Sequence, residues 1–289
     1  MLSIKEIRNK IFSTKSTNKI TKTMEMISIS KMKKIKIKMD NSFSYQKSIL
    51  RVVNNVISSS LYSNNSYLIN KDKIDTICII VVSTNKGLCG SLNSNLFRKI
   101  LKNMNKYSNK FIKLIIIGQK GINFFKSHYN NFIIKNFVLS EFSFFDSVLK
   151  ILKYVIYLYE NKKVQKFFLA SNESKGSKNF VPKFFQLLPI YNKSKHKNIY
   201  KKFFWNYIYE PDNEILLNIL FKKYLESTIY CNILENLYCE HVSRFFSMKQ
   251  AYDNSENIIK NLRLSYNKCR QSNVTKELIE IVSGCSEIL

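Results

Sequence analysis

Tyr266-Asn267-Lys268-Cys269-Arg270-Gln271-Ser272-Asn273-Val274-Thr275-Lys276-Glu277-Leu278-Ile279-Glu280-Ile281-Val282-Ser283 closes a stretch that begins at Asp212 and contains neither glycine nor proline. Nothing in it interrupts a helix. Pro211 and Asp212 make a start signal, with Asp212 able to cap free N–H groups and Glu214 in the first turn. Apolar residues then recur at three- and four-residue steps: Leu216, Leu220, Tyr224, Leu234, Leu237, His241, Phe245, Met248, Tyr252, Ile259, Leu262, Tyr266 and Cys269. At about 1.5 Å per residue, fifty such residues make a rod of roughly 75 Å. A rod of that length cannot bury itself in a compact core, so it needs a partner helix, a partner protein, or both.

Glycine and proline are confined to the middle of the chain, between Gly87 and Pro211, with Gly284 as a late exception. The N-terminal stretch is therefore read as a second long helix. Ser3-Ile4-Lys5-Glu6 is a capping box that starts it. Ile4, Ile7 and Ile11 form one apolar stripe; Ile20, Met24 and Ile27 form another, with polar Ser13 to Lys19 between them. The block Lys31 to Lys38 alternates locally, so helix is favoured there by context, and the rod is expected to fray between Val56 and Tyr67. In the middle the period changes. β-Branched runs at Ile74–Val82, Lys113–Ile117, Phe132–Val138 and Val164–Ala170 read as strands, separated by helices near Ser94–Asn105, after Gly121, and at Phe144–Tyr159. Residues 191–202 read as loop and Phe203–Tyr209 as a further strand. The expected fold class is α/β: a long antiparallel coiled coil of the two terminal helices plus a central Rossmann-like domain. The expected domains are 1–60 and 212–289 for the helices and 61–211 for the α/β part with its linkers.

A length of 289 residues and 45% apolar content allow a real core. The net charge of +27 attracts acidic partners in general, but only six of the 47 basic residues are arginine, which fits the lysine enrichment of an AT-rich genome. Nucleic-acid binding would call for arginine-rich or aromatic base-contacting clusters, and none is visible. The six cysteines form no C-x-x-C pair and read as packed thiols of a reducing compartment. His128, His196 and His241 are too far apart for zinc spacing, so no metal is expected. Lys86-Gly87-Leu88-Cys89-Gly90 sits between strand and helix but lacks the Gly-Lys-Ser/Thr of a phosphate-binding loop; it reads as a tight turn. No catalytic constellation emerges, so the chain is expected to have no active site and no cofactor. No apolar run spans a bilayer, and neither signal nor transit peptide is visible.

Several stretches together resemble the gamma-subunit family of F-type ATP synthases. They are Ile20-Thr21-Lys22-Thr23-Met24-Glu25-Met26 with Ser30-Lys31-Met32, Val82-Ser83-Thr84-Asn85-Lys86-Gly87-Leu88-Cys89-Gly90, and Asn93-Ser94-Asn95-Leu96-Phe97. Trp205-Asn206-Tyr207-Ile208-Tyr209-Glu210-Pro211-Asp212 and Val274-Thr275-Lys276-Glu277-Leu278-Ile279-Glu280-Ile281-Val282-Ser283-Gly284 complete the set in the family's order. The resemblance is to the bacterial form. It implies a central-stalk rotor that turns with the membrane c ring inside three alpha and three beta subunits, coupling proton flow to ATP synthesis in beta. It implies alpha, beta, epsilon and c-ring partners, delta in the same complex, and a peripheral position on the cytoplasmic side of the bacterial inner membrane. By the same resemblance Met24, Arg270, Gln271, Thr275 and Glu277 match contacts to beta, and Tyr207, Tyr209 and Glu210 match the foot beside the c ring and epsilon. Arg8 and Lys31 to Lys38 either face acidic loops of beta or are solvated. The chain departs from the family at Cys285, at the tip Ser286 to Leu289, and at His241, where glutamine is expected.

Overall fold

The computed structural model describes residues 3–58, 67, 75–140, 144–176, 179–190 and 213–286. They fall into two compact units: Met1–Ser30 with Arg244–Leu289, and Lys31–Ser243. Helix α1 runs Ile4–Ser58 and helix α5 runs Asn213–Ser286, as the absence of proline, and of glycine short of Gly284, dictates. The α1 capping box forms as expected: the Ser3 N–H donates to Glu6 Oε2 at 3.0 Å and the Glu6 N–H to Ser3 Oγ at 3.3 Å. Lys31 to Lys38 are helical, with Met32 and Ile35 half-buried.

The larger unit holds a five-stranded sheet in the order β3-β2-β1-β4-β5. The strands are β1 (Thr76–Val82), β2 (Phe111–Ile117), β3 (Ile133–Phe137), β4 (Lys166–Ser174) and β5 (Phe180–Leu188). The first four are parallel and β5 is antiparallel to β4. Helices α2 (Leu92–Lys106), α3 (Gln119–His128) and α4 (Phe144–Glu160) make the crossovers. Alternation along the central strand sorts its side chains between two cores. Ile77, Ile79 and Val81 pack with Leu96, Ile100, Met104 and Phe125 of α2 and α3. Cys78, Ile80 and Val82 pack with Val148, Ile151 and Val155 of α4, and that layer includes Ile49 and Val53 of α1 and Phe221, Leu225 and Ile229 of α5. Fully burying each such side chain contributes roughly 1.5–3 kcal/mol.

One strand departs from the expectation. The sequence reading assigns no strand between Ala170 and Phe203, yet β5 runs there, with Pro182 opposite Asn172. Proline is tolerated there because β5 is an edge strand, where no further strand needs its missing N–H. The strand expected at Phe203–Tyr209 and the loop at 191–202 lie outside the described residues.

At the carboxyl ends of β1 and β4 the strand order reverses, the position where open α/β sheets bind ligands. Here α5 docks along one side of the crevice, and a cavity lined by Ser91, Leu92, Asn95, Asn172 and Ser243 remains beside it. Asn236 Oδ1 accepts from the Asn172 N–H (3.3 Å) and from Asn172 Nδ2 (2.9 Å), Glu235 accepts from the Ser174 N–H (3.4 Å), and Ser243 Oγ donates to the Cys89 carbonyl (2.7 Å). The turn Ser83 to Gly90 is pinned beside it. Ser83 Oγ donates to the Ile117 carbonyl and accepts from the Gly121 N–H. A Cβ on Gly118 would stand 2.4 Å from Ser83 O, and one on Gly121 2.5 Å from Ser83 Oγ, so both glycines of Gly118-Gln119-Lys120-Gly121 are required by that approach.

Burial raises the Glu235 carboxyl above its ordinary value, opposed by Lys183 and the Ser174 N–H. A carboxyl raised in the folded state favours the unfolded chain as pH climbs from the ordinary carboxylate range through the raised value. Glu235→Gln keeps the carbonyl that accepts from Ser174. It is expected to raise the thermal midpoint of this unit near neutral pH and to change it little at about pH 4, which calorimetry at both values checks.

Candidate functional site: the terminal helical unit

In the unit formed by Met1–Ser30 and Arg244–Leu289, α1 and α5 pair antiparallel. Asn18 Nδ2 donates to Ser255 Oγ at 2.8 Å, and one turn further along α1 the Lys22 ammonium lies 4.7 Å over the ring of Tyr252, earlier in α5. Both helices are buried at alternating three- and four-residue steps, the spacing of a coiled-coil seam. On α1 the seam is Ile4, Ile7, Ile11, Thr14, Asn18, Thr21, Glu25 and Ser28; on α5 it is Met248, Tyr252, Ser255, Ile259, Leu262, Tyr266 and Cys269. The apolar steps read from α5 are all buried or half-buried.

The second stripe expected on α1 does not face the seam. Ile20, Met24 and Ile27 are 60%, 36% and 51% exposed, while Thr21, Glu25 and Ser28 are buried. The seam keeps its heptad phase from Ile4 and Ile7 onward, and the apolar residues fall one position out of it. The polar seam positions are satisfied locally. Thr21 Oγ1 donates to the Asn18 carbonyl, Ser28 Oγ to the Met24 carbonyl, and Glu25 accepts from Lys22 at 3.2 Å. The polar stretch Ser13 to Lys19 thus lies partly inside the seam, through Thr14 and Asn18. The signal was in the sequence, as an unbroken heptad of small polar residues, but hydrophobicity does not report it.

Beyond Cys269 the helix α5 stands bare. Every residue from Arg270 to Ser283 is exposed, including Val274, Leu278, Ile279, Ile281 and Val282 at 49–69%. At about 100° per residue, Arg270 and Glu277 fall on one stripe, while Gln271 and Thr275 lie together on another roughly a third of a turn round. Thr275 Oγ1 bonds back to the Gln271 carbonyl at 2.9 Å. The four candidates therefore present two polar stripes beside apolar side chains. Met24 is exposed on the same unit, among Ile20 and Ile27. Tyr207, Tyr209 and Glu210 lie outside the described residues.

Reactive chemistry finds little support. Cys78, Cys231 and Cys239 are buried, and burial pushes their thiols up, that of Cys231 to about 12, so they stay protonated at neutral pH. Among the described residues no group of three or more His, Cys, Asp or Glu could hold a metal ion, and no helix is long and apolar enough to cross a membrane.

A family model described as ATP synthase matches residues 3–288. The chain is 45% identical to the ATP synthase gamma chain of Buchnera aphidicola subsp. Schlechtendalia chinensis, covering 98% of each. It is 41% identical to that of Buchnera aphidicola subsp. Baizongia pistaciae, covering 100% of this chain and 99% of the relative. Among solved structures, a chain of the Euglena gracilis mitochondrial ATP synthase (OSCP/F1/c-ring, rotational state 3) superposes with a TM-score of 0.68 at 16% identity, covering 99% of this chain and 94% of that one. A chain of the Tetrahymena thermophila mitochondrial central stalk and c-ring gives 0.62 at 24%, covering 80% and 99%. These two likenesses speak for the fold.

Asn18 is the seam residue whose side chain bonds across to α5, and a buried polar residue of that kind fixes register at some expense of stability. Asn18→Leu is expected to hold or raise the thermal midpoint while letting the helices slip. Disulfide trapping between cysteines at Ile11 and Leu262, one heptad from Asn18 and Ser255, and between Ile11 and positions a turn away would read this. One trapped register is expected in the parent and more than one in the variant.

Proposed function

The chain belongs to the ATP synthase gamma family, and on that footing we propose how its geometry turns rotation into work. It is the rotor subunit of the central stalk of an F-type ATP synthase, a non-catalytic member of the complex whose chemistry is done by the beta subunits. Its partners are the alpha, beta and epsilon subunits and the c ring, with delta in the same assembly, and it meets the membrane peripherally through them. The finer location we propose is the cytoplasmic face of a bacterial inner membrane, with protons as the coupling ion.

The observation that carries the mechanism is the bare end of α5. The five large apolar residues between Val274 and Val282 fall on one half of this exposed helix, an apolar face that no other described residue of the chain covers. Surrounding it with a ring of subunits removes that apolar surface from water at roughly 25 cal/mol per Å². A sleeve of this kind holds a shaft without fixing its angle. The polar stripes then supply what depends on angle. Arg270 and Glu277 on one side, and Gln271 and Thr275 on the other, offer charge-assisted and neutral hydrogen bonds to whichever beta subunit faces them. Because the stripes cover only part of the circumference, each rotational angle favours a different beta subunit.

Met24, exposed beside Ile20 and Ile27, would slide along beta as an unbranched, polarisable side chain. In this reading residues 1–60 and 212–289 form the shaft, and 61–211 form the foot, where Tyr207, Tyr209 and Glu210 engage the c ring and epsilon. With α5 docked at the strand-order reversal and no phosphate-binding loop between β1 and α2, the α/β domain is read as a foot.

Two measurements test this. Mixed with matching alpha and beta subunits, the chain is expected to give a stable complex whose magnesium-dependent ATP hydrolysis requires it; hydrolysis without it, or no complex, overturns the reading. In the membrane-bound complex, Arg270→Ala is expected to lower ATP-driven proton pumping several-fold more than it lowers hydrolysis, because loss of a charge-assisted contact of about 1.5–3 kcal/mol weakens coupling before it weakens chemistry.

A further inference from the structure

The amino-terminal edge of the sheet gathers lysines that the rotor contacts leave unassigned. Lys106 ends α2, Lys110 precedes β2, Lys162 and Lys163 lie in the turn from α4 to β4, and Lys166 opens β4. Strands β2 and β4 flank β1 on either side, with Phe111 opposite Thr76 and Lys166 opposite Ile77, so the topology brings these lysines to one edge. In their midst Phe111 donates its N–H to the Asp75 carbonyl at 2.8 Å and leaves its ring 76% exposed. The acids at this edge are Asp75 and Glu160. Glu160 is engaged, accepting from the Tyr67 hydroxyl at 2.8 Å and lying 3.5 Å from the Lys222 ammonium. Among the described residues no ion pair neutralises the five lysines, and Lys163 rests 5.2 Å over the Tyr157 ring.

We propose that this edge is a contact for acidic phospholipid headgroups, with the Phe111 ring in the interfacial layer. Lysine suits the task because its ammonium is a point charge on a flexible stem that reaches a headgroup without fixed geometry. An exposed aromatic ring among basic residues is the composition found where proteins lie on bilayers. Nucleic acid fits less well, since the edge has no arginine and its other exposed ring, Tyr157, lies under the Lys163 ammonium. A fluid layer of headgroups also tolerates rotation, because the lysines exchange partners as the surface moves past. The proposal relies on the rotor reading only for the nearness of a membrane.

The test is flotation of the purified full chain with phosphatidylcholine vesicles, with or without about one third phosphatidylglycerol. Binding is expected only with the acidic lipid and should weaken as salt is raised. Each basic residue near an anionic leaflet is worth roughly fivefold in partitioning, so Lys106→Gln/Lys163→Gln/Lys166→Gln should lower it on the order of 100-fold. Phe111→Ser should lower it several-fold. A charge-matched control at other exposed sites, Lys99→Gln/Lys120→Gln/Lys150→Gln, should lower it no more than about fivefold, because Lys120 follows the carboxyl end of β2 and Lys99 and Lys150 stand about two turns or more back from the edge along α2 and α4. Equal losses in the two triple variants would reduce the effect to net charge and overturn the proposal. So would an edge variant that loses DNA binding but keeps vesicle binding. Failure of the parent chain to assemble with alpha and beta would instead count against the rotor reading and leave the vesicle result standing.

Discussion

The docking of α5 on the carboxyl ends of β1 and β4 is the interaction on which the larger unit depends. Asn236 reads both the backbone and the side chain of Asn172, while Glu235 and Ser243 cap neighbouring groups on either side. These contacts come at some expense. Asn172 Oδ1 and Asn236 Nδ2 are buried without a protein partner, and each such group typically costs about 1–3 kcal/mol. What offsets them is the apolar layer further along the helix, where Phe221, Leu225, Ile229 and Ile233 join the core of the sheet. Apolar burial holds α5 against the sheet. The amides set its rotation and its position along its axis. A sheet edge that elsewhere serves as a ligand cleft is here a mounting for a helix.

The terminal unit solves a different problem with an inverted distribution of polarity. An ordinary helix pair buries its apolar residues and exposes its polar ones. Here Thr21, Glu25 and Ser28 occupy the seam while Ile20, Met24 and Ile27 face outward. The seam therefore contributes less hydrophobic stabilisation than its length suggests, and part of its specificity comes from the single cross-helix amide of Asn18. The apolar surface it forgoes becomes available to whatever surrounds it. For a shaft in a protein ring this division is sensible. Small polar side chains take the inside, and larger apolar ones outside are left to fill a bearing.

Much of this was legible in the chain. The lack of glycine and proline before Gly87 and between Pro211 and Gly284 sets out both long helices, and the β-branched runs set out the four parallel strands. The capping box at Ser3 and Glu6 forms as written. Other features were hidden for physical reasons. Strand β5, which carries Pro182, went unassigned, since a sequence does not reveal which strand lies at an edge. The polar seam was masked because hydrophobic periodicity follows the apolar residues, and on α1 these change faces after Ile11. The docking of α5 at the crevice could not be read at all, because it depends on residues far from β4 in sequence. Of the candidate contacts, Met24, Arg270, Gln271, Thr275 and Glu277 are exposed in the terminal unit. Their stripes were legible only as spacings along a helix, whose surroundings the sequence leaves open.

The bare end of α5 joins these strands of reasoning. Its five exposed apolar residues would be an aggregation hazard on a monomer, and a net charge of +27 opposes that hazard only through long-range repulsion. A segment of this kind persists only where a partner covers it for most of the protein's life. A partner that gripped it through complementary pockets would stop it turning, since each side chain would have one seat. A partner offering a smooth apolar wall removes the same area from water at every angle, so the stabilisation stays nearly constant through a revolution. Hydrophobic burial, being non-directional, can provide such a bearing; hydrogen bonds, being directional, cannot. Directional groups, with Arg270, Gln271, Thr275 and Glu277 as the proposed contacts, are those whose energy changes with angle. It is that change, small beside the total burial, through which rotation can act on a surrounding subunit.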